Sequence, residues 1–170
     1  MLHMKSILVG GLALGLGACS TMSQAPATSN LSVQDLNAIT TGYQLVRFDL
    51  AECADLQAGG ANAQTLHVAQ AICADATNYQ AQLKQLALAR NITLPNDLRY
   101  DLGAKDVELH YHADPDVNTQ YLRDQIDSHQ DALAVFRDEA LNGNDPQIKA
   151  FSAGAIPVVQ GNLLALRAAS

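Results

Sequence analysis

The 170-residue chain carries 10 Lys and Arg against 17 Asp and Glu, a formal net charge of −7 at pH 7. Its basic residues are scattered singly, so the pattern does not favour phosphate binding and we expect no nucleic-acid partner. Because 48% of the residues are hydrophobic and 16% are charged, the composition predicts one compact domain and excludes a disordered chain. Aromatic residues make up only 5% and there is no Trp, so aliphatic side chains must fill the core, which favours an all-α fold.

The N-terminus has the features of a bacterial secretory leader. Lys5 precedes an apolar run over residues 7–17, which is too short and too rich in glycine for a stable membrane span. Residues 16–19 (Leu-Gly-Ala-Cys) resemble a lipobox, in which cleavage before the cysteine exposes a thiol and an amine for acylation. The alternative is an ordinary signal peptide followed by a chance cysteine. We predict a lipoprotein signal peptide over residues 1–18 and lipidation of Cys19.

The residues after this cysteine predict an anchor, a tether and a folded domain. Ser20, rather than Asp, follows Cys19, which favours the outer membrane by the usual sorting pattern of lipoproteins. We therefore expect a periplasm-facing outer-membrane lipoprotein whose partner is the membrane, held through its N-terminal lipid anchor. Residues 19–31 are small, polar and aperiodic, so they predict a flexible tether, which reaches about 17 Å for roughly ten residues. Residues 32–170 are predicted to form the folded domain.

Two long helices are predicted in the first half of the domain. Residues 32–57 begin with a Ser N-cap and an acid in the first turn, and residues 62–90 follow the paired glycines Gly59 and Gly60, which favour a tight reversal. Apolar residues recur at alternating spacings of three and four in both helices, as expected for buried seams. The seams comprise Leu36, Ile39, Tyr43, Val46, Leu50 and Cys53, and then Ala69, Ile72, Ala76, Tyr79, Leu83 and Leu86.

A long connection over residues 91–115 precedes the second pair of helices. Prolines and a glycine interrupt it, and only residues 104–111 have the pattern of a short helix. Asp-Pro pairs at residues 114–115 and 145–146 are typical of helix starts, and Pro157 within the last helix predicts a kink. The third long helix has the seam Leu122, Ile126, His129, Leu133, Phe136 and Ala140; the fourth has Ile148, Phe151, Ala155, Val158 and Asn162, with Ile156, Val159, Leu163 and Leu166 beside it. The pattern predicts a four-helix bundle with His129 in its core.

Cys53 and Cys73 are candidates for a disulfide. If Cys19 is acylated, these two remain, an even number in an oxidising compartment. They lie seven and thirteen residues from the predicted reversal near residue 60, a difference that a modest stagger of the two helices could absorb. Two reduced cysteines acting as small core residues are the alternative.

Three groups of residues resemble the domain-of-unknown-function 4142 family: residues 92–95 (Ile-Thr-Leu-Pro), the third-helix residues 121–140 around His129, and residues 148–157 of the last helix. The resemblance covers residues 33–168 and implies a ferritin-like four-helix fold, a secreted or outer-membrane location and no established activity. It also implies histidine-type positions at residues 76, 129 and 162, where this chain has Ala76, His129 and Asn162. Asp75 matches the family pattern, whereas Arg137 stands where the family has an acid.

Candidate ligands for a metal or small molecule fall into two groups. In the core, His129 could act with Asp75 or Glu52, but a ferritin-like di-metal centre needs Glu-x-x-His pairs, and the sequence has none. In the loop before the third long helix, His110 and His112 stand near two aspartates, but on a helix they would face apart. The alternatives are a core histidine and a solvated loop, so we expect no metal and no cofactor.

These features predict a non-catalytic lipoprotein of the cell envelope that acts as a structural or interaction module, with no catalytic residues. The sequence has no nucleophile elbow, phosphate loop, Cys-x-x-Cys or His-Glu-x-x-His motif. An envelope protein, which the sequence does not identify, is a second candidate partner. The alternative function is a ferritin-like protein that binds a metal or small ligand at a degenerate core site around His129.

Overall fold

A computed structural model describes residues 30–111 and 116–170. These residues form five helices and no strand: α1 (Val33–Ala58), α2 (Ala63–Leu88), α3 (Tyr100–Tyr111), α4 (Asp116–Asn142) and α5 (Pro146–Ala169). The four long helices and the short one are confirmed, although α3 begins four residues earlier than predicted. The leader over residues 1–18, Cys19, most of the tether and His112 lie outside the described residues.

The helix starts follow from local capping chemistry. Ser32 caps α1 because its hydroxyl accepts from the Asp35 backbone N–H at 3.0 Å, while its own N–H donates to the Asp35 carboxylate at 2.5 Å. Gly60 has a φ of 77°, a left-handed conformation that permits the reversal before Asn62, the N-cap of α2. Asp145 caps α5, as predicted, and accepts from the backbone N–H groups of two residues in its first turn, Gln147 and Ile148.

Contacts at the two ends of the bundle define its topology. At one end, the Asn62 N–H donates to the Asn118 side chain at 2.9 Å, so α4 begins beside the α1–α2 turn. At the other end, the Asp145 N–H donates to Asp35 at 2.9 Å, so α4 ends beside the start of α1. The chain between α2 and α4 therefore crosses the length of the bundle, which is the single long connection of a ferritin-like four-helix fold. The predicted fold class is confirmed.

Gln44 and Arg47 of α1 hold this connection in place. The Gln44 side-chain amide donates to the Asp97 carbonyl at 2.8 Å, and its oxygen accepts from the Arg99 N–H at 2.8 Å. The Arg47 guanidinium donates to the Asn96 carbonyl at 2.6 Å. These contacts position α3 against α1 and α4, where its Leu102 and Leu109 side chains are buried.

The predicted disulfide is confirmed. Cys53 of α1 and Cys73 of α2 are bonded, with a Cα–Cα distance of 6.1 Å and a sequence separation of 20 residues. A bridge that closes a loop of this length stabilises the fold by about 3 kcal/mol in the chain-entropy description. The alternative of two reduced cysteines is thereby set aside.

The predicted seams lie in the core with two exceptions. Leu36 is 42% exposed and Val158 is 36% exposed, so both assignments were wrong. In α1 a neighbouring row that includes Leu45 and Phe48 is buried as well, because this helix contacts all four others. Pro157 lies on an exposed part of α5, which remains helical through it. Among the described residues, no helix combines the length and apolarity needed to cross a bilayer.

Candidate functional site

Polar side chains of α1 and α4 meet inside the bundle and form what we call the polar layer. Its members are at most 9% exposed, although core positions of this kind are ordinarily apolar. They follow the helical spacing of three and four, so each helix turns several of them toward the other. The polar layer comprises Asp49 and Glu52 of α1 with Asp124, Gln125, Ser128 and His129 of α4.

His129 is a core histidine, as predicted, and is 4% exposed. Its Nδ1 lies 2.9 Å from the Gln125 carbonyl oxygen one turn earlier in α4. A carbonyl oxygen can only accept, so Nδ1 carries the proton and donates. In the neutral ring the other nitrogen, Nε2, is then the atom with a lone pair, which is the arrangement that second-shell hydrogen bonds produce in metal-ligating histidines.

Two acids of α1 face this histidine and its neighbours. The Ser128 hydroxyl donates to Asp49 at 2.9 Å, and the Gln125 side-chain amide donates to Glu52 at 2.9 Å. Burial raises the pKa of Asp49, and the nearby His129 and the Ser128 hydroxyl offset part of that rise. The pKa of Glu52 is raised to about 9, chiefly by burial; the hydrogen bond from Gln125 offsets part of the rise, and the neighbouring acids add to it. Glu52 is therefore protonated at neutral pH.

The polar layer is incompletely hydrogen-bonded by the described residues. Gln125 Oε1 and Glu52 Oε1 of the polar layer, and the hydroxyl of Tyr121 near Asp49 and Glu52, are buried and make no hydrogen bond within the described part of the chain. Asp124 is fully buried, accepts from the Gln120 side chain and lies 3.4 Å from the Lys105 ammonium. Burying polar groups without full pairing is costly, so the polar layer lowers the stability of the bundle relative to an apolar core.

A small cavity beside the polar layer brings together the three histidine-type positions. Ala76, His129 and Asn162 all line it, together with Asp49 and Asp75. The cavity volume is about 20 Å³, enough for one molecule the size of water. The Asn162 side-chain amide donates to the Asp75 carboxylate at 2.9 Å, so Asn162 acts here as a partner for Asp75.

The remaining predicted ligands lie elsewhere. Glu52 belongs to the polar layer but does not line the cavity. His110 is on the surface, where its Nδ1 lies 2.9 Å from Asp55 Oδ1, and this contact raises its pKa. His112 is outside the described residues. Of the predicted core ligands, His129 and Asp75 thus lie together at the cavity, whereas Glu52 lies in the polar layer outside it.

The site has limited chemical capacity. Among residues 30–111 and 116–170, no three His, Cys, Asp or Glu side chains are grouped so that they could hold one metal ion. The 20 Å³ cavity leaves no room for an organic substrate next to His129. The candidate ligand assignments stay predictions.

Four members of the polar layer were not predicted from the sequence: Asp49, Asp124, Gln125 and Ser128. A signal for them exists, since Leu45, Asp49, Glu52 and Leu56 recur at spacings of four, three and four, beside the seam assigned from apolar residues alone. Polar residues in the middle of such a row are usually solvated, so the row was not recognised as buried. Here α4 packs over it.

Comparisons with known proteins agree with this architecture. No curated protein matches the chain. The crystal structure of a DUF305 fragment from Deinococcus radiodurans is similar, with a TM-score of 0.72 and 13% sequence identity, over 81% of this chain and 95% of that chain. At this identity the likeness shows a shared fold alone. The sequence profile of the family described as Domain of unknown function (DUF4142) matches residues 20–168, so the chain belongs to the DUF4142 family.

Proposed function

We propose that this protein is a non-catalytic lipoprotein of the cell envelope, anchored to the outer membrane through Cys19, which acts as a structural or interaction module. The signal peptide over residues 1–18 directs export and lipidation, and residues 19–31 tether the folded domain to the membrane. The bundle over residues 32–170 is the module. Its partners are the membrane and an envelope protein.

The size of the interior cavity is the observation that argues against catalysis at the His129 site. About 20 Å³ admits one water-sized molecule, whereas sites for organic ligands span roughly 300–1,000 Å³. The groups around it are engaged with each other: His129 with the Gln125 carbonyl, and Asp75 with Asn162. A substrate would have to displace these contacts and open the core.

The disulfide supports the proposed location in the periplasm. Bonds such as Cys53–Cys73 form and persist in oxidising surroundings, of which the bacterial periplasm is one. The two cysteines cross-link α1 to α2, so an oxidising compartment would add to the stability of the fold.

Lipidation is tested in cells fed an alkyne-bearing fatty acid, followed by capture of the tagged protein. We expect label on the wild-type chain, no label on Cys19→Ser, and recovery of the wild type in the outer-membrane fraction. Ser20→Asp is the matched control, which should keep the label but move to the inner membrane. An unlabelled wild-type chain, or label retained by Cys19→Ser, contradicts the proposed anchor.

A second candidate function, binding of a single metal ion, is favoured by one observation. His129 Nε2 is the ring nitrogen left for a ligand, and Asp75, the other predicted core ligand at this cavity, lines it too. A thermal-shift series with zinc, iron, manganese and copper salts tests it on the wild type and on His129→Gln. A shift of several degrees with one metal, absent in His129→Gln, would establish this candidate over the first.

A further inference from the structure

A groove between α4 and α5 combines an apolar floor with unpaired positive charge. Leu133 and Leu163 form the buried part of its wall, and Leu164, which is 68% exposed, forms part of its open side. Arg137 of α4 and Arg167 of α5 also line it. The groove and the interior cavity at His129 are separate features, because the two arginines and Leu164 line the groove alone.

The two arginines differ from the other cations of the folded domain. Within the described part of the chain, each of the other seven Lys and Arg side chains contacts a carboxylate, a carbonyl, an amide or an aromatic ring of the protein; they are Arg47, Lys84, Arg90, Arg99, Lys105, Arg123 and Lys149. The side chains of Arg137 and Arg167 make no hydrogen bond or ion pair there. The net charge of the chain is −7, yet these two unpaired guanidinium groups line the same groove. The groove is therefore a locally positive site on an acidic protein.

The dimensions of the groove favour a small ligand. Its volume is about 460 Å³, within the roughly 300–1,000 Å³ of small-molecule sites. Its floor accepts an aliphatic chain, and an arginine at its edge can hold a carboxylate or phosphate through two parallel hydrogen bonds.

We propose that the α4–α5 groove binds a single-chain aliphatic anion, with the chain against Leu133, Leu163 and Leu164 and the anionic head on Arg137 or Arg167. Apolar burial supplies binding free energy along the chain, and the guanidinium groups select the sign of the head group. This site is independent of the proposed lipid anchor, since it lies entirely within the folded domain.

The test is isothermal titration of the full chain with dodecanoate below its micellar concentration. We expect saturable binding of one molecule per chain. Arg137→Gln or Arg167→Gln should weaken it roughly tenfold, and Leu164→Asp, which places a carboxylate in the groove, should abolish it. Lys84→Gln on α2 is the matched control, because it removes the same net charge away from the groove and should leave the affinity unchanged.

Dodecyltrimethylammonium, which has the same chain and a positive head, should bind at least tenfold more weakly. The proposal is overturned if dodecanoate does not saturate, if the cationic amphiphile binds equally well, or if both arginine variants bind like the wild type. Far-UV circular dichroism of each variant establishes that it is folded. Arg137, Arg167 and Leu164 are exposed, so their substitution leaves the core intact.

Discussion

Replacing Glu52 by Gln should make the protein more stable than the wild type at alkaline pH. Glu52 is fully buried, and its pKa rises from an ordinary value of 4.5 to about 9 in the folded state. Between these two values the folded chain keeps the proton that the unfolded chain loses. Because the folded pKa is raised, the stability contributed by the protonated carboxyl is complete below pH 4.5 and is lost as the pH rises toward 9.

The size of this loss follows from the linkage relation. Each pH unit between the two pKa values removes at most about 1.4 kcal/mol, so the free energy of unfolding should fall by about 3 kcal/mol between pH 5.5 and 8 through Glu52 alone. The amide introduced by Glu52→Gln would not titrate, and its oxygen can still accept from Gln125. Asp49 and Glu139 also have raised pKa values, but they titrate in both chains and cancel in the comparison.

The assay is urea unfolding followed by circular dichroism at several pH values, since the chain has no Trp. The difference in unfolding free energy between Glu52→Gln and the wild type should grow in favour of the variant by about 2–3 kcal/mol from pH 5.5 to 8. Glu108→Gln is the matched control, because this glutamate is exposed on α3. If the unfolding free energies of Glu52→Gln and the wild type changed in parallel with pH, Glu52 would not be a buried carboxyl that stays protonated in the folded state.

Three further predictions concern stability at neutral pH. Reduction of the α1–α2 disulfide should lower the unfolding free energy by about 3 kcal/mol, measured by urea unfolding with and without reductant; an unchanged midpoint would refute it. Asp35→Ala should cost about 2–4 kcal/mol, because Asp35 closes the α1 capping box and accepts from the Asn144 and Asp145 N–H groups; a loss below about 1 kcal/mol would count against this role. Gly154 has open space around it, so Gly154→Ala should raise the thermal midpoint, because alanine favours the helix by about 0.5–1 kcal/mol. Gly42→Ala should lower the midpoint, because the added carbon meets a Phe136 ring atom at 3.0 Å. Equal shifts in the two glycine variants would contradict the tight packing at Gly42.

The helix boundaries could be predicted from the sequence because they depend on short-range chemistry. Ser32, Gly60, Asn62 and Asp145 each begin or end a helix through their own side chain or backbone conformation and the few residues next to them. The start of α3 was the exception. Gly103 was interpreted as an interruption, whereas burial of Leu102 against the core offsets the cost of a glycine in the first turn.

The candidate site was only partly predictable, because its burial depends on tertiary packing. His129 lies on an apolar seam, so its location in the core followed from spacing. Asp49 and Ser128 lie on rows beside the seams and become buried only because α1 and α4 press together over a wide face. The groove at Arg137 and Arg167 likewise depends on how α4 packs against α5, which spacing within either helix does not specify.

The proposed non-catalytic role requires that the interior around His129 is closed and binds no ligand. Its most direct test is elemental analysis of the full chain purified from its own envelope fraction without chelators. We expect a metal content far below one ion per chain, equal in the wild type and in His129→Ala. One metal ion per wild-type chain, lost in a folded His129→Ala variant, would contradict it.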